Sequence, residues 1–117
     1  MEFDNLYEAY RSVCLRHADR ILFRNQGLTF GQTWRRAESR AMALKRDGYG
    51  KGDVIAILAG NSPEWCISYM AITAIGAVAL PLDTNLTPEQ YRDMARQVEA
   101  RAAFVSTSFR SVLEGIA

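Results

Sequence analysis

Two short stretches come nearest to a ligand site in residue type and spacing: the glycines Gly48, Gly50 and Gly52, and the run Asn61-Ser62-Pro63-Glu64. A glycine-rich turn cradles phosphate when it leaves a strand and opens a helix, because the amides of the helix start then face the anion. The three glycines stand in the reverse setting, after a helical pattern and before a strand, and no GxGxxG or GxxxxGKS/T spacing is present. A tight helix-to-strand turn is the expected result. The Asn61 to Glu64 run has the right order, strand then helix. Ser62 can cap there, Pro63 suits the first helical position and Glu64 complements the positive helix end. A weak ligand contact from Asn61 or Ser62 is the alternative reading, with Glu64 set against a phosphate.

The other reactive types do not assemble. His17 is the single histidine, so no Ser/His/Asp or Cys/His set can be completed and no metal site has its ligands. Asp47, Asp53, Asp83, Glu89 and Glu99 stand near turns or on solvated faces, with no spacing that argues an acid–base pair. Cys14 and Cys66 lie inside apolar helical patterns and read as buried reduced thiols. Trp34, Trp65, Tyr69 and Tyr91 sit at helical core spacing, which favours packing over a stacking platform. No catalytic, cofactor-binding or metal-ligating residue is assigned on this basis, and substrate-binding residues are unknown.

Composition narrows the class. The chain has 117 residues, 49% hydrophobic and 23% charged, with a net charge of +1. That is a soluble globular balance with no field to draw nucleic acid or an acidic membrane. The acidic start MEFDNLYEAY lacks a signal-peptide pattern, and with reduced cysteines it points to the cytoplasm. Trp65 to Leu82 is nearly unbroken apolar sequence, long enough to raise a membrane span. Gly76 interrupts it, and Ala77 to Leu82 reads as a strand ending at a proline, so a buried helix followed by a buried strand is expected instead.

These residues must be positioned by alternating elements. Leu6 to Ala18 has helical spacing, with Leu6, Tyr7, Tyr10, Val13 and Cys14 on one face and Asp4 or Asn5 as cap. Ile21 to Phe23 and Leu28 to Phe30 flank the turn Asn25-Gln26-Gly27 as a small hairpin. Thr29 with Gln32 makes a capping box for a helix whose inner face is Phe30, Trp34, Ala37, Ala41 and Leu44, with Arg35, Arg36, Glu38, Arg40 and Lys45 outward and Gly48 as stop. Val54 to Leu58 is apolar throughout, the mark of a strand covered on both faces. The helix opened by Ser62 is apolar on nearly every side and must lie between layers. Thr87-Pro88-Glu89-Gln90 opens an amphipathic helix to about Ala100, with Leu86 and Tyr91 as hydrophobic staple. A strand at Ala103 to Ser106 and a helix from Phe109 to Ile116 close the chain. This alternation predicts an α/β fold, a mainly parallel sheet with helices on both faces.

The ordered motifs resemble those of the AMP-forming acyl-CoA synthetases, within the adenylate-forming ligases. Leu28-Thr29-Phe30-Gly31-Gln32-Thr33 is similar to the family's LTYxEL, and Tyr49 to Ile57 to GVxKGDRVAI. Asn61 to Trp65 reproduces NSPEW, and Gly76 to Asp83 with Leu86 to Glu89 is similar to GAVxVPLDPxLTPEE. Ala102 to Val105 fits the strand that follows. Gly31 and Thr33 depart from the family's usual residues but leave the capping box intact.

The resemblance implies that residues 1–117 form part of the large N-terminal domain, truncated before the family's phosphate loop and C-terminal domain. For the parent enzyme it implies ATP, Mg²⁺ and CoA: a carboxylic acid, by NSPEW and LTPEQ a fatty acid, becomes an acyl adenylate and is passed to the CoA thiol. For this chain alone it implies no activity and no bound cofactor, since none of the family's nucleotide-binding residues falls here. The implied partners are the remainder of the parent and its small-molecule acid; apolar surface left uncovered would favour a dimer. A free-standing scaffold module, and an adenylation domain loading a carrier protein, are the alternative readings.

Overall fold

The computed structural model describes residues 6–111. A cap at Asp4 or Asn5, and all but the first residues of the helix expected over Phe109 to Ile116, lie outside them. In chain order the elements are α1 (Leu6–Arg16), β1 (Ile21–Phe23), β2 (Leu28–Thr29), α2 (Phe30–Arg46), β3 (Val54–Leu58), α3 (Pro63–Ala74), β4 (Val78–Pro81), α4 (Pro88–Gln97), β5 (Ala102–Val105) and a 3₁₀ turn at Thr107–Phe109.

β1 and β2 pair antiparallel, Ile21 opposite Thr29, around a turn whose Gly27 has φ +66°. The main sheet has the order β4-β3-β5 and is wholly parallel, with Val54 opposite Val78 and Ile55 opposite Ala102. β3, in the centre, is covered on both faces as its unbroken apolar run predicts. Ile55 and Ile57 join Ala41, Leu44, Ala71 and Ile72 in one cluster, while Ala56 and Leu58, which alternate to the opposite face, are 4% and 3% exposed.

The chain passes from β3 through α3 to β4, then returns through α4 past β3 to β5. Right-handed crossovers running in opposite directions put their helices on opposite faces of the sheet. α3 packs on β3 and β4, and α1 and α2 pack on α3, so α3 lies between the sheet and a second helical layer. Its Ile67, Ala71 and Ile72 are completely buried. A second cluster, Cys14, Trp34, Ala37, Ile67 and Met70, joins α1, α2 and α3. Gly31 is where the α2 start meets the end of α1: a Cβ there would come within 3.1 Å of both the Ala18 Cβ and its carbonyl.

Helix ends follow one pattern. After α2, α3 and α4 the amide of the second residue past the cap bonds back six residues' span: Tyr49 N–H to Leu44 O, Ala77 N–H to Ile72 O and Ala100 N–H to Ala95 O. The left-handed position between is Gly48 (φ +93°), Gly76 (φ +78°) and, after α4, Glu99 (φ +53°). That turn ends α4 at Gln97 rather than Ala100. One further helix boundary differs from the expected one. α1 stops at Arg16, and Val13 is 42% exposed, because the face toward α2 and α3 is carried by Tyr7, Tyr10 and Cys14. The Trp65 to Leu82 run resolves, as expected, into a helix and a strand, α3 and β4 with a turn at Gly76 between them. Contrary to expectation β4 is not buried, since it is an edge strand and Val78 is 52% exposed. No helix among the described residues is long and apolar enough to cross a membrane.

Candidate functional site

In an open parallel sheet ligands gather outside the carboxyl ends of the strands, where successive connections leave in opposite directions. Here β3, whose connection leaves toward β4, has β5 on its other side, and the carboxyl ends of the two strands lie side by side. A crevice of 390 Å³ opens there, lined by Arg40, Glu64, Ser68, Phe104, Ser106 and Thr107 among others. Arg40 Nη1 donates to Ser68 Oγ at 2.7 Å and Nη2 to Glu64 Oε2 at 2.7 Å, and its guanidinium lies 5.3 Å from the Phe104 ring centroid. Arg40 was expected to face solvent with the other charges of α2. Instead α3 passes beside it, and the pairing and the aromatic face hold its side chain at 29% exposure. Sequence reading missed this group because its members lie 24 and 28 residues apart, in elements whose contact only the fold decides.

A shallower depression of 450 Å³ lies at the ends of β3 and β4, with Asn61, Trp65, Asp83 and Thr84 on its walls. Asn61 is exposed, and Ser62 caps α3 as expected, accepting from the Trp65 backbone N–H at 3.3 Å. Glu64 does more than answer the helix dipole, since it bridges Arg40 and, at 4.0 Å, Arg36. The loop after β4 is held by Tyr91, 1% exposed: its hydroxyl donates to Asp83 O at 2.7 Å and accepts from the Leu86 N–H at 3.3 Å. Tyr91, read as a hydrophobic staple with Leu86, thus also anchors by hydrogen bonds. Trp34 packs on Tyr7, and Trp65 stacks on Tyr69 at 5.3 Å, both in the core as expected.

The three glycines form a turn and not a phosphate cradle. Gly48 N–H bonds Lys45 O, Gly50 N–H bonds the Asp53 carboxylate at 2.8 Å, and Gly52 N–H bonds Gly76 O, so all three amides are satisfied internally. Asp53 takes the place an anion would occupy. The Gly50 N–H, with the Arg101 guanidinium at 3.0 Å, holds its carboxyl below the usual carboxylate range.

The remaining candidates stay apart. Cys14 is buried and Cys66 half-buried, and burial pushes both thiols up, away from reactivity. His17, in the turn just past α1, lies against the Phe30 ring, 6.3 Å between centroids. Asp83 accepts from the Asn85 N–H in its own turn. No three His, Cys, Asp or Glu side chains among the described residues group to hold a metal ion. The glycine amides, bonded internally, leave no free glycine N–H there to face a phosphate.

The architecture is an open α/β domain with a parallel sheet and crevices at the carboxyl ends of its strands. The AMP-binding enzyme family model matches residues 10–116, and the chain belongs to that family. It is 29% identical over 92 residues to the 3-hydroxybenzoate–CoA ligase of Aromatoleum sp. (strain CIB), covering 79% of this chain and 18% of that one. The anthranilate CoA ligase AuaEII, solved with anthranoyl-AMP, superposes with a TM-score of 0.90 at 27% identity, covering 97% of this chain and 22% of that one. The N-terminal domain of FACL13 from Mycobacterium tuberculosis shares the fold, with a TM-score of 0.86 at 22% identity over 96% of this chain and 29% of that one. The chain thus spans less than a third of each of these three proteins.

Proposed function

We propose that this chain is the N-terminal segment of an acid–CoA ligase, structural by itself and catalytic only as part of its parent. The parent activates a carboxylic acid with ATP to an acyl adenylate, with Mg²⁺ at the phosphates, and passes the acyl group to the CoA thiol. The observation that carries this reading is the family match across residues 10–116 on a piece that spans 18% of a related CoA ligase. The motifs NSPEW and LTPEQ favour a fatty acid, whereas relatives named for 3-hydroxybenzoate and anthranilate favour an aromatic one. A cytoplasmic parent is part of the proposal, supported by two cysteines that stay unpaired.

The test is to express the complete reading frame and measure acid-dependent exchange of pyrophosphate into ATP, then thioester formation on free CoA. Exchange with a fatty or an aryl acid, followed by an acyl-CoA product, is expected, and the preferred acid settles the class. No exchange with either class would overturn the reading; exchange followed by transfer only to a carrier protein would move the parent to the adenylation domains. The 117-residue chain alone should bind ATP with ~mM affinity or none, lacking a phosphate loop to recruit amides and a lysine. Micromolar binding by calorimetry would defeat the claim that the segment is structural.

A further inference from the structure

The crevice between the ends of β3 and β5 continues into a groove along α2, and the two share Arg40, Glu64 and Phe104. Three arginines, Arg35, Arg36 and Arg40, line the combined surface against one carboxylate, Glu64. Glu64 holds Arg40 at 2.7 Å and reaches Arg36 at 4.0 Å, yet its own side chain is 55% exposed. An ion pair with one partner that open to water is worth little and exchanges readily. The Arg40 guanidinium carries more N–H donors than its two bonds use. Around it the crevice offers an apolar wall, Ile57, Phe104 and Val105, and hydroxyls at Ser106 and Thr107. A volume of 390 Å³, mostly apolar with a few convergent polar groups, suits a small ligand.

We infer that this crevice binds a small oxyanion, carboxylate or phosphate, carried on an apolar group, with Arg40 as its anchor and Glu64 as a built-in competitor. The oxyanion takes the place of the Glu64 carboxylate on Arg40, its apolar part lies against Phe104 and Val105, and Arg36 adds charge at the mouth. All these residues belong to this chain, so the inference stands whether or not the ligase reading holds.

The competitor makes the site testable. The chain would be titrated with benzoate, phenyl phosphate and benzyl alcohol while backbone amide and arginine Nε resonances are followed by NMR. Saturable shifts at Arg40, Phe104, Ser106 and Thr107 are expected with the anions, and binding of the neutral alcohol at least about tenfold weaker, since the charge-assisted bonds are lost. Glu64→Gln should tighten anion binding about threefold or more, because the competing carboxylate is gone, and Arg36→Gln should weaken it. Arg40→Gln should weaken it at least about tenfold. The ratio of benzoate to phenyl phosphate affinity tells which oxyanion the site prefers. Equal binding of the alcohol, shifts scattered over all the arginines, no saturable shift, or an affinity unchanged or weakened in Glu64→Gln would each overturn the proposal. Glu64→Gln, at an exposed position, keeps the test decisive even if Arg40→Gln fails to fold.

Discussion

α3 and α4 begin with the same grammar and end in different places. Ser62-Pro63-Glu64 opens one and Thr87-Pro88-Glu89 the other, each with a hydroxyl cap, proline at the first turn and an acid at the positive helix end. α4 adds a full capping box, Gln90 reaching back to the Thr87 N–H at 2.9 Å. By local criteria α4 is the better-made helix. Yet α3 is buried between the sheet and the α1–α2 layer, while Tyr91 is the one buried residue within α4. Caps decide where a helix starts; the distribution of apolar residues around it decides how much the fold depends on it.

If that is right, the largest effect comes from the middle of α3. Ile67→Ala, at a completely buried position, should cost about 2–5 kcal/mol, against under about 0.5 kcal/mol for Asp93→Ala on the exposed face of α4, both read by urea unfolding. Similar losses at the two sites would break the contrast. Tyr91→Phe should cost about 1–3 kcal/mol, because the Leu86 N–H and Asp83 carbonyl lose their partner. A negligible loss would mean that the ring alone anchors α4.

The ends sharpen the comparison further. Ser62→Ala and Thr87→Ala should cost about 1 kcal/mol each, nearly alike, since capping is local. At the other end the helices differ, with glycine after α3 and Glu99 after α4 in the same left-handed position. Gly76→Ala should therefore destabilise, and Glu99→Gly should stabilise by up to about 1 kcal/mol, as seen in the unfolding midpoint. Loss of stability in Glu99→Gly would show that its side chain does something the backbone account omits.

The smallest effect lies in the turn before β3, outside both helices. The folded Asp53 carboxyl titrates lower than it would unfolded, so its contribution is present at neutral pH and lost as the pH falls through the lowered folded value. The stability gap between the natural chain and Asp53→Asn should shrink over that acid range. A gap that does not change with pH would assign the effect to packing.

Most of the frame was legible because it is written locally. Val54 to Leu58 announced a central strand by being apolar on both alternations, and Thr29, Ser62 and Thr87 announced helix starts by capping chemistry that spans three residues. The errors fell where a boundary depends on something outside the segment. Val13 reads as inward by period, yet only α2 and α3 determine which part of α1 they cover. Glu99 carries no signal of a left-handed turn, since an acidic side chain in that conformation is held there by backbone bonds to α4.

The sequence by itself determined the order of elements, the parallel sheet, the turn role of Gly48 and the burial of α3, because periodicity and capping act over a few residues and need no partner. Tertiary structure alone decided that Arg40 turns from the outer face of α2 to Ser68 and Glu64 beneath Phe104, and that Asp53 meets Arg101 across 48 residues. Charged side chains on a helix surface read as solvated until a neighbouring element arrives. Whether one arrives is settled by how the apolar faces pack, and no local pattern records that outcome.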